Sequence, residues 1–226
     1  MGARHAGGII LGATGHTRTL TRPLKWDIRG RWARECGAGS VARTCRYRHG
    51  VRSSRVAVVA YDPGWSGLFE AERALLEEVL APWLDGGVHH IGSTAIPGLA
   101  AKPIIEMMAG VSDLGQARAA FEPLKALSYV HTPHRASIAH HFSKPSEGSS
   151  EMTHGLHLTE SGSDLWRERL AFRNALRQDA ALAAEYQAIK RRLADEHPTD
   201  VGAYTAGKRE FVGAVLAKAG LRFGRR

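Results

Sequence analysis

The stretch His90-Ile-Gly-Ser-Thr-Ala-Ile-Pro-Gly-Leu-Ala-Ala-Lys-Pro-Ile-Ile-Glu106 decides the fold of this chain. An apolar lead-in over 88–91 predicts a strand that runs into the small residues Gly92-Ser93-Thr94. A turn at Pro97-Gly98 follows, and a second apolar run covers 103–111. The pattern therefore predicts two strands joined by a small-residue turn, with one carboxylate on the second strand.

The residue types in this stretch suit phosphate and metal chemistry. Small residues from Gly92 to Thr94 allow backbone N–H groups and two hydroxyls to approach an anion closely. Glu106 is placed to bind a divalent cation beside that anion. The alternative for Glu106 is a carboxylate that is satisfied by Lys102 or by a nearby arginine.

The quoted residues resemble the GrpB family, which carries a similar series and is regarded as a branch of the nucleotidyltransferase superfamily. In some bacteria the same domain is fused to dephospho-CoA kinase. The superfamily pattern is Gly-Ser, about a dozen residues, then two acids separated by one apolar residue. Ser93 and Glu106 match that spacing, but Met108 stands where the second acid belongs. The resemblance extends from Tyr61 to Ala219.

The resemblance implies a Mg²⁺-dependent transferase that acts on a nucleoside triphosphate or a related small nucleotide. Gly92, Ser93, Thr94 and Lys102 would hold phosphate, and Glu106 would bind the metal. The family also shows a His-x-x-His-x-x-Glu run, matched here by His154, His157 and Glu160. It implies that His157 and Glu160 complete the site as metal ligand or general base.

Residues three apart on a strand face opposite sides, so His154 and His157 could share a metal only if a bulge lay at Gly155. The alternative is one histidine that is hydrogen-bonded in the sheet and one that is solvated.

Several basic residues are candidates for binding an anionic substrate. Arg135 and Lys144 lie in a segment that resembles an Arg-rich family segment, although a solvated face is the alternative for both. In the C-terminal helices the resemblance singles out Lys190, Tyr204 and Lys208 as possible pocket residues. For Lys190 we favour a salt bridge to acids on the solvent side.

The periodicity predicts an α+β domain, and the resemblance implies a nucleotidyltransferase-like mixed sheet with flanking helices and a C-terminal helical layer. Expected strands cover 56–61, 129–132, 137–142 and 152–160 beside the two named above. Expected helices cover 65–84, 112–127, 164–177, 179–196 and 201–221. Apolar residues such as Leu68, Phe69, Leu75 and Leu76 recur at helical spacing on the first helix, which predicts that they are core.

The net charge of +9 lies entirely in the first quarter of the chain. Residues 1–54 contain many glycines and arginines, both cysteines (Cys36 and Cys45) and no sustained periodicity, so we expect a disordered basic extension. Residues 55–222 form the predicted domain. No apolar run is long enough for a signal sequence or a membrane span, which favours a cytoplasmic protein with no membrane partner.

Three classes of function remain open from the sequence. The first is the Mg²⁺-dependent nucleotidyltransferase, and the second is a non-catalytic nucleotide-binding or CoA-linked accessory domain, which Met108 favours. The third is a nucleic-acid binder that acts through the basic extension, and it rests on composition alone.

Overall fold

The computed structural model describes residues 25–26, 32–33, 55–134, 136–149, 151–222 and 224. The chain divides into two compact units, Met1–His49 and Gly50–Arg226. In the first unit the structure describes a short antiparallel pair, β1 (Lys25–Trp26) with β2 (Trp32–Ala33). The predicted disorder of the extension otherwise falls outside the described residues.

The second unit is built on a mixed sheet, as the sequence predicts, and this sheet has five strands. Its strands are β3 (Leu84–Ile91), β4 (Ile105–Val111), β5 (Val130–Thr132), β6 (His140–Pro145) and β7 (Met152–Glu160). Their order across the sheet is β3-β4-β7-β6-β5. Only β4 and β7 run parallel, and the other neighbours are antiparallel. The α+β class is therefore confirmed.

Helices cover both faces of this sheet. They are α1 (Gly64–Leu80), α2 (Phe121–Ala126), α3 (Asp164–Gln178), α4 (Ala180–Glu196), α5 (Val201–Ala206) and α6 (Arg209–Lys218), with short 3-10 helices at Ser93–Ala95 and Gln116–Ala120. Ser163 and Asp179 cap α3 and α4 by accepting hydrogen bonds from backbone N–H groups.

The register assigns each strand side chain to one of two faces. On β4, Met107 and Ala109 belong to the main core cluster together with Leu76 and Leu80 of α1. Glu106 and Met108 alternate with them and therefore face the other side, which α3 covers. We call these the α1 face and the α3 face. Gly110, on the α3 face, is closely approached by Trp166, so a side chain there would collide with it.

The apolar stripe of α1 differs from the predicted one. Trp65, Phe69, Leu76 and Leu80 are buried, but Leu68 and Leu75 are exposed. The buried stripe also passes through Glu72, which is tolerated because Lys144 and Tyr129 hydrogen-bond to its carboxylate. The prediction that Leu68 and Leu75 are core was wrong, because the buried stripe runs through positions 65, 69, 72, 76 and 80, and these two leucines lie beside it.

Two further expectations were wrong in detail. Residues 56–61 do not form a strand, since Val59 makes only an isolated bridge to Ala101. Val56 instead packs with Leu193 and Tyr204 of the helical layer. The last predicted helix is two helices that break at Gly207, where a side chain would collide with Leu193.

None of the helices in the described part of the chain is both long and apolar enough to cross a membrane.

Candidate functional site

The turn after β3 brings its glycine against the carboxylate of the next strand. Gly92 has φ of +71°, a backbone conformation that side chains rarely adopt. A Cβ at this position would overlap the Glu106 carboxylate and lie 3.1 Å from the Glu106 Cβ. Ile91 and Glu106 are cross-strand partners. The turn at Gly92 and Ser93 therefore lies in direct contact with Glu106 on β4, although these residues are separated in the sequence.

The Thr94 hydroxyl is committed to the fold. Its Oγ1 donates to the Ile104 carbonyl at 3.0 Å, and it lies 3.0 Å from His90 Nε2. Because the hydroxyl proton is used, His90 Nε2 is the donor in the second bond. The ring of His90 stacks on Phe69 at 4.7 Å. Burial, together with the charges of Arg177 and Arg173, lowers the pKa of His90 to about 4, so this imidazole is neutral. Thr94 thus braces the turn, and its hydroxyl proton is already donated to the Ile104 carbonyl rather than free for a phosphate.

The charge of Glu106 acts on two buried or half-buried lysines of the helical layer. Lys190 on α4 is 1% exposed, and its Nζ donates to the Ala100 carbonyl and lies 5.0 Å from the centre of the Tyr186 ring. Lys208, which precedes α6, lies with its Nζ 4.2 Å from the centre of the Tyr204 ring. We call Tyr186, Lys190, Tyr204 and Lys208 the lysine–tyrosine cluster.

The charge of Glu106 influences every titratable group of this cluster. Burial, the charge of Lys208 and the charge of Arg191 together lower the pKa of Lys190 to about 7, against the opposing influence of Glu106. Burial also lowers the pKa of Lys208, against the influence of Glu106, while Lys102 and Arg169 add positive charge. Five basic residues thus surround one carboxylate: Lys102, Arg169, Lys190, Arg191 and Lys208. The site carries a surplus of positive charge that an anionic ligand would offset.

The two tyrosines of the cluster are hydrogen-bond donors at neutral pH. Burial raises the pKa of Tyr186, with the Tyr204 phenol and Glu106 adding to the effect and a hydrogen bond with the Ser93 side chain opposing it. Burial and Glu106 raise the pKa of Tyr204 to about 12. Ser93, the turn residue of the predicted phosphate site, therefore lies beside the cluster.

His157 lies on the same face as Glu106. It pairs with Met108 in the parallel register, while Glu106 pairs with Gly155. Burial, then the charges of Arg169 and His141, lowers the pKa of His157 well below its usual value, so the ring is neutral. Its Nδ1 is buried without a hydrogen-bond partner among the described residues. Met108 is completely buried between the cross-strand neighbours His89 and His157.

The structure does not bring His154, Glu160 and Lys144 to Glu106. The β4–β7 register is continuous from Ile105 to Val111, without a bulge at Gly155, so His154 and Glu160 face the α1 side. Glu160 Oε1 accepts a hydrogen bond from the Leu114 N–H at 3.3 Å. Lys144 Nζ is 2.8 Å from Glu72 Oε1 and 3.0 Å from Glu72 Oε2, also on the α1 face.

Arg135 lies outside the described residues. The other predicted ligand residue, Lys102, influences the pKa of Lys208 and so belongs to the basic surroundings of Glu106.

Two features of the site were missed or misread in the sequence. Lys190 is not salt-bridged to acids on the solvent side, because α4 turns it into the protein, where it bonds to Ala100.

Arg169, Arg173 and Arg177 form a stripe on α3 at spacings of four residues. Arg173 Nη1 donates to the His90 carbonyl at 3.0 Å, and Arg177 Nε donates to the Ala95 carbonyl at 2.8 Å. Arg173 and Arg177 therefore bind both ends of the turn. Their regular spacing in the sequence was the signal that could have identified them.

Comparison with known proteins identifies the family. The family model described as "GrpB protein" matches residues 55–218. The glutamate-rich protein GrpB of Alkalihalophilus pseudofirmus is 34% identical over 171 residues, which cover 74% of this chain and 97% of that protein. The UPF0157 protein YqkA of Bacillus subtilis is 32% identical over 158 residues, covering 70% of this chain but only 45% of its own length.

Solved structures agree with this result. The crystal structure of conserved protein GrpB from Enterococcus faecalis matches with a TM-score of 0.65 and 30% identity, over 73% of this chain and 99% of that chain. A structure of the Cid1 poly(U) polymerase matches with a TM-score of 0.46 and 12% identity, over 66% of this chain and 50% of that chain, a likeness too slight to support a conclusion about function. On the extent of the family match and the identity to its members, the chain belongs to the GrpB family.

Proposed function

We propose that the α3 face around Glu106 binds the phosphates of a nucleotide, and that the domain acts as a nucleotide-binding module. The observation that carries this proposal is the pair of desolvated lysines, Lys190 and Lys208, facing a single carboxylate. Buried cations are costly unless an opposite charge compensates them. Because Glu106 supplies one negative charge, a phosphate chain would supply the remainder.

The chain offers neutral donors beside these cations. The Tyr186 and Tyr204 phenols remain protonated at neutral pH, since burial raises both pKa values. The Ser93 hydroxyl lies at the same place, next to the Tyr186 phenol. Hydrogen bonds from such donors to phosphate oxygens are charge-assisted, and fixed donors in a partly dry site need little reorganisation.

The donor set does not fit a metal that the protein holds by itself. Among the described residues, no three His, Cys, Asp or Glu side chains converge on one point. Glu106 has Met108 where a second oxygen ligand would be needed, and its surroundings are cationic, which repels Mg²⁺.

A transferase is the second candidate, and His157 is the observation in its favour. Its neutral ring shares a face with Glu106, and its buried Nδ1 has no partner in the described part of the chain. A neutral imidazole can accept a proton, although the lowered pKa makes His157 a weak base. The nucleotide-binding proposal does not depend on this role.

Titration calorimetry with ATP and with dephospho-CoA tests the proposal. Lys208→Gln should weaken binding of the preferred ligand about tenfold, because a charged hydrogen-bond donor is worth roughly 1.5–3 kcal/mol. Lys218→Gln, at an exposed lysine at the end of α6, is the matched control and should leave affinity unchanged.

Each titration should be done with Mg²⁺ and with EDTA. Binding should persist in EDTA, because lysines rather than a metal neutralise the phosphates. Binding that requires Mg²⁺ would instead support the transferase, and equal effects of Lys208→Gln and Lys218→Gln would place the ligand elsewhere.

The lowered pKa of Lys190 predicts pH-dependent binding. Above a pKa of about 7 the free protein loses this charge, and an anionic ligand must then restore the proton. Affinity should therefore fall as pH rises from 6 to 9, by about tenfold for each unit by which the ligand raises this pKa. Calorimetry should compare the wild-type protein with Lys190→Met at each pH. Protonation of the ligand changes both affinities equally, so it cancels in their ratio. A ratio that does not change with pH would show that Lys190 does not contact the phosphates.

A further inference from the structure

A cavity of about 210 Å³ lies at the outer edge of β3, between α1 and α3. Since β3 is an edge strand with β4 on its inner side, the cavity is separated from Glu106 by the width of β3. Its lining includes Glu70 and Arg73 of α1, His89 and His90 of β3, and Arg173 and Arg177 of α3. It is therefore distinct from the lysine–tyrosine cluster.

The charges in this cavity are not balanced. Arg73 is neutralised on its own helix, with Glu70 at 2.7 Å and Glu77 at 4.0 Å. Neither Arg173 nor Arg177 has a carboxylate within 4.0 Å among the residues that the structure describes. Arg173 is half-buried, and burial together with the charge of Arg177 lowers its pKa. Two like charges thus lie one helical turn apart without an anion.

Both guanidinium groups are held in position. Arg173 donates to the His90 carbonyl at 3.0 Å and to Asn174 Oδ1 at 2.9 and 3.0 Å. Arg177 Nε donates to the Ala95 carbonyl at 2.8 Å, a bond that uses one of its five N–H donors. Arginines fixed in this way lose little side-chain freedom when a ligand binds, which favours recognition of a planar or tetrahedral oxyanion.

We propose that this cavity is a second oxyanion site, which takes the dianionic phosphate of a small phosphomonoester. Its volume is below the roughly 300–1,000 Å³ of typical ligand sites, so it accommodates a phosphoryl group with a small substituent rather than a whole nucleotide. A phosphomonoester carries about −1.5 to −2 charge at pH 7, which matches two arginines, whereas a carboxylate carries half of that. The site does not depend on the function proposed for Glu106.

The guanidinium N–H signals of the ¹⁵N-labelled full chain provide a direct test. Inorganic phosphate, added at constant ionic strength, should shift the Nε–H resonances of Arg173 and Arg177 in a saturable manner. Acetate should bind more weakly. Shifts that are equal for phosphate, acetate and chloride, or that do not saturate, would overturn the proposal, as would acetate binding as tightly as phosphate.

Variants then locate the site. Arg177→Gln should weaken phosphate binding about tenfold, as expected for loss of a charged donor, whereas Arg167→Gln, at an exposed arginine of the same helix, should not. Arg173→Lys keeps the charge but loses the Nη N–H groups that the bonds to Asn174 and His90 leave for a ligand. It should weaken binding severalfold, which covers the case in which Arg177→Gln fails to fold. Equal affinities in all three variants would contradict the site. Lys208→Gln should leave the phosphate-induced shifts of the arginine N–H signals unchanged. A failure of this second-site proposal can therefore be told apart from a failure of the nucleotide site proposed at Glu106.

Discussion

Gly92→Ala should destabilise the protein by about 3 kcal/mol. The left-handed backbone at φ of +71° costs a side chain roughly 1–2 kcal/mol. A methyl group there would also overlap the Glu106 carboxylate and lie 3.1 Å from its Cβ, and overpacking of this kind costs about 1–3 kcal/mol. Denaturant unfolding measures the total loss of stability from these two costs. Because the carboxylate must swing away, nucleotide affinity should fall as well.

Gly98→Ala is the matched control for this prediction. Gly98 has a similar φ of +78°, but a Cβ added there would have no other atom within 4 Å. Its substitution should therefore cost only the roughly 1–2 kcal/mol of the left-handed backbone. Glu106→Ala, combined with Gly92→Ala, should recover part of the difference, since it removes the carboxylate that the methyl group meets. If Gly92→Ala costs no more than Gly98→Ala, the contact between turn and carboxylate does not contribute to stability.

Met108→Asp should destabilise the protein by at least about 3 kcal/mol, with or without metal. Met108 is 0% exposed, so the change removes a buried apolar side chain and leaves a buried charge next to Glu106 on the same face. The superfamily pattern places an acid here, but the packing around this position is that of a core residue. Thermal unfolding in EDTA, Mg²⁺ and Mn²⁺ should give the same loss.

Two substitutions control for this result. Met108→Leu conserves apolar volume and should cost less than about 1.5 kcal/mol. Met152→Asp changes a methionine on β7 that is 39% exposed, and should be nearly neutral. If Met108→Asp folds normally and gains stability on addition of Mg²⁺ or Mn²⁺, the second acid can be accommodated and the metal-dependent transferase becomes the better explanation.

Local patterns in the sequence were enough to predict the central elements. The β3-turn-β4 unit, β7 and the capped helices α3 and α4 have periodicity or capping residues that determine them locally. Residues 56–61 were predicted wrongly because β-branched composition suits any half-buried extended segment, and here the neighbour is the helical layer rather than the sheet.

The candidate site could be predicted only in part for the same reason. Glu106, Ser93 and His157 were named from motif positions, and strand alternation put Glu106 and Met108 on one face. The placement of Glu160 and Lys144 depended on the register of β7 and β6, which no local pattern specifies.

By itself the sequence determined the fold class, the glycine turn and its spacing from Glu106, because small residues, alternation and caps act within a few residues of each other. Only the tertiary structure decided what surrounds Glu106. Lys190 and Lys208 come from helices more than eighty residues further along the chain, and their burial gives them lowered pKa values and the site its excess of positive charge. Burial and charge pairing depend on how distant segments pack, so the character of the site follows from the packing of the helical layer on the sheet.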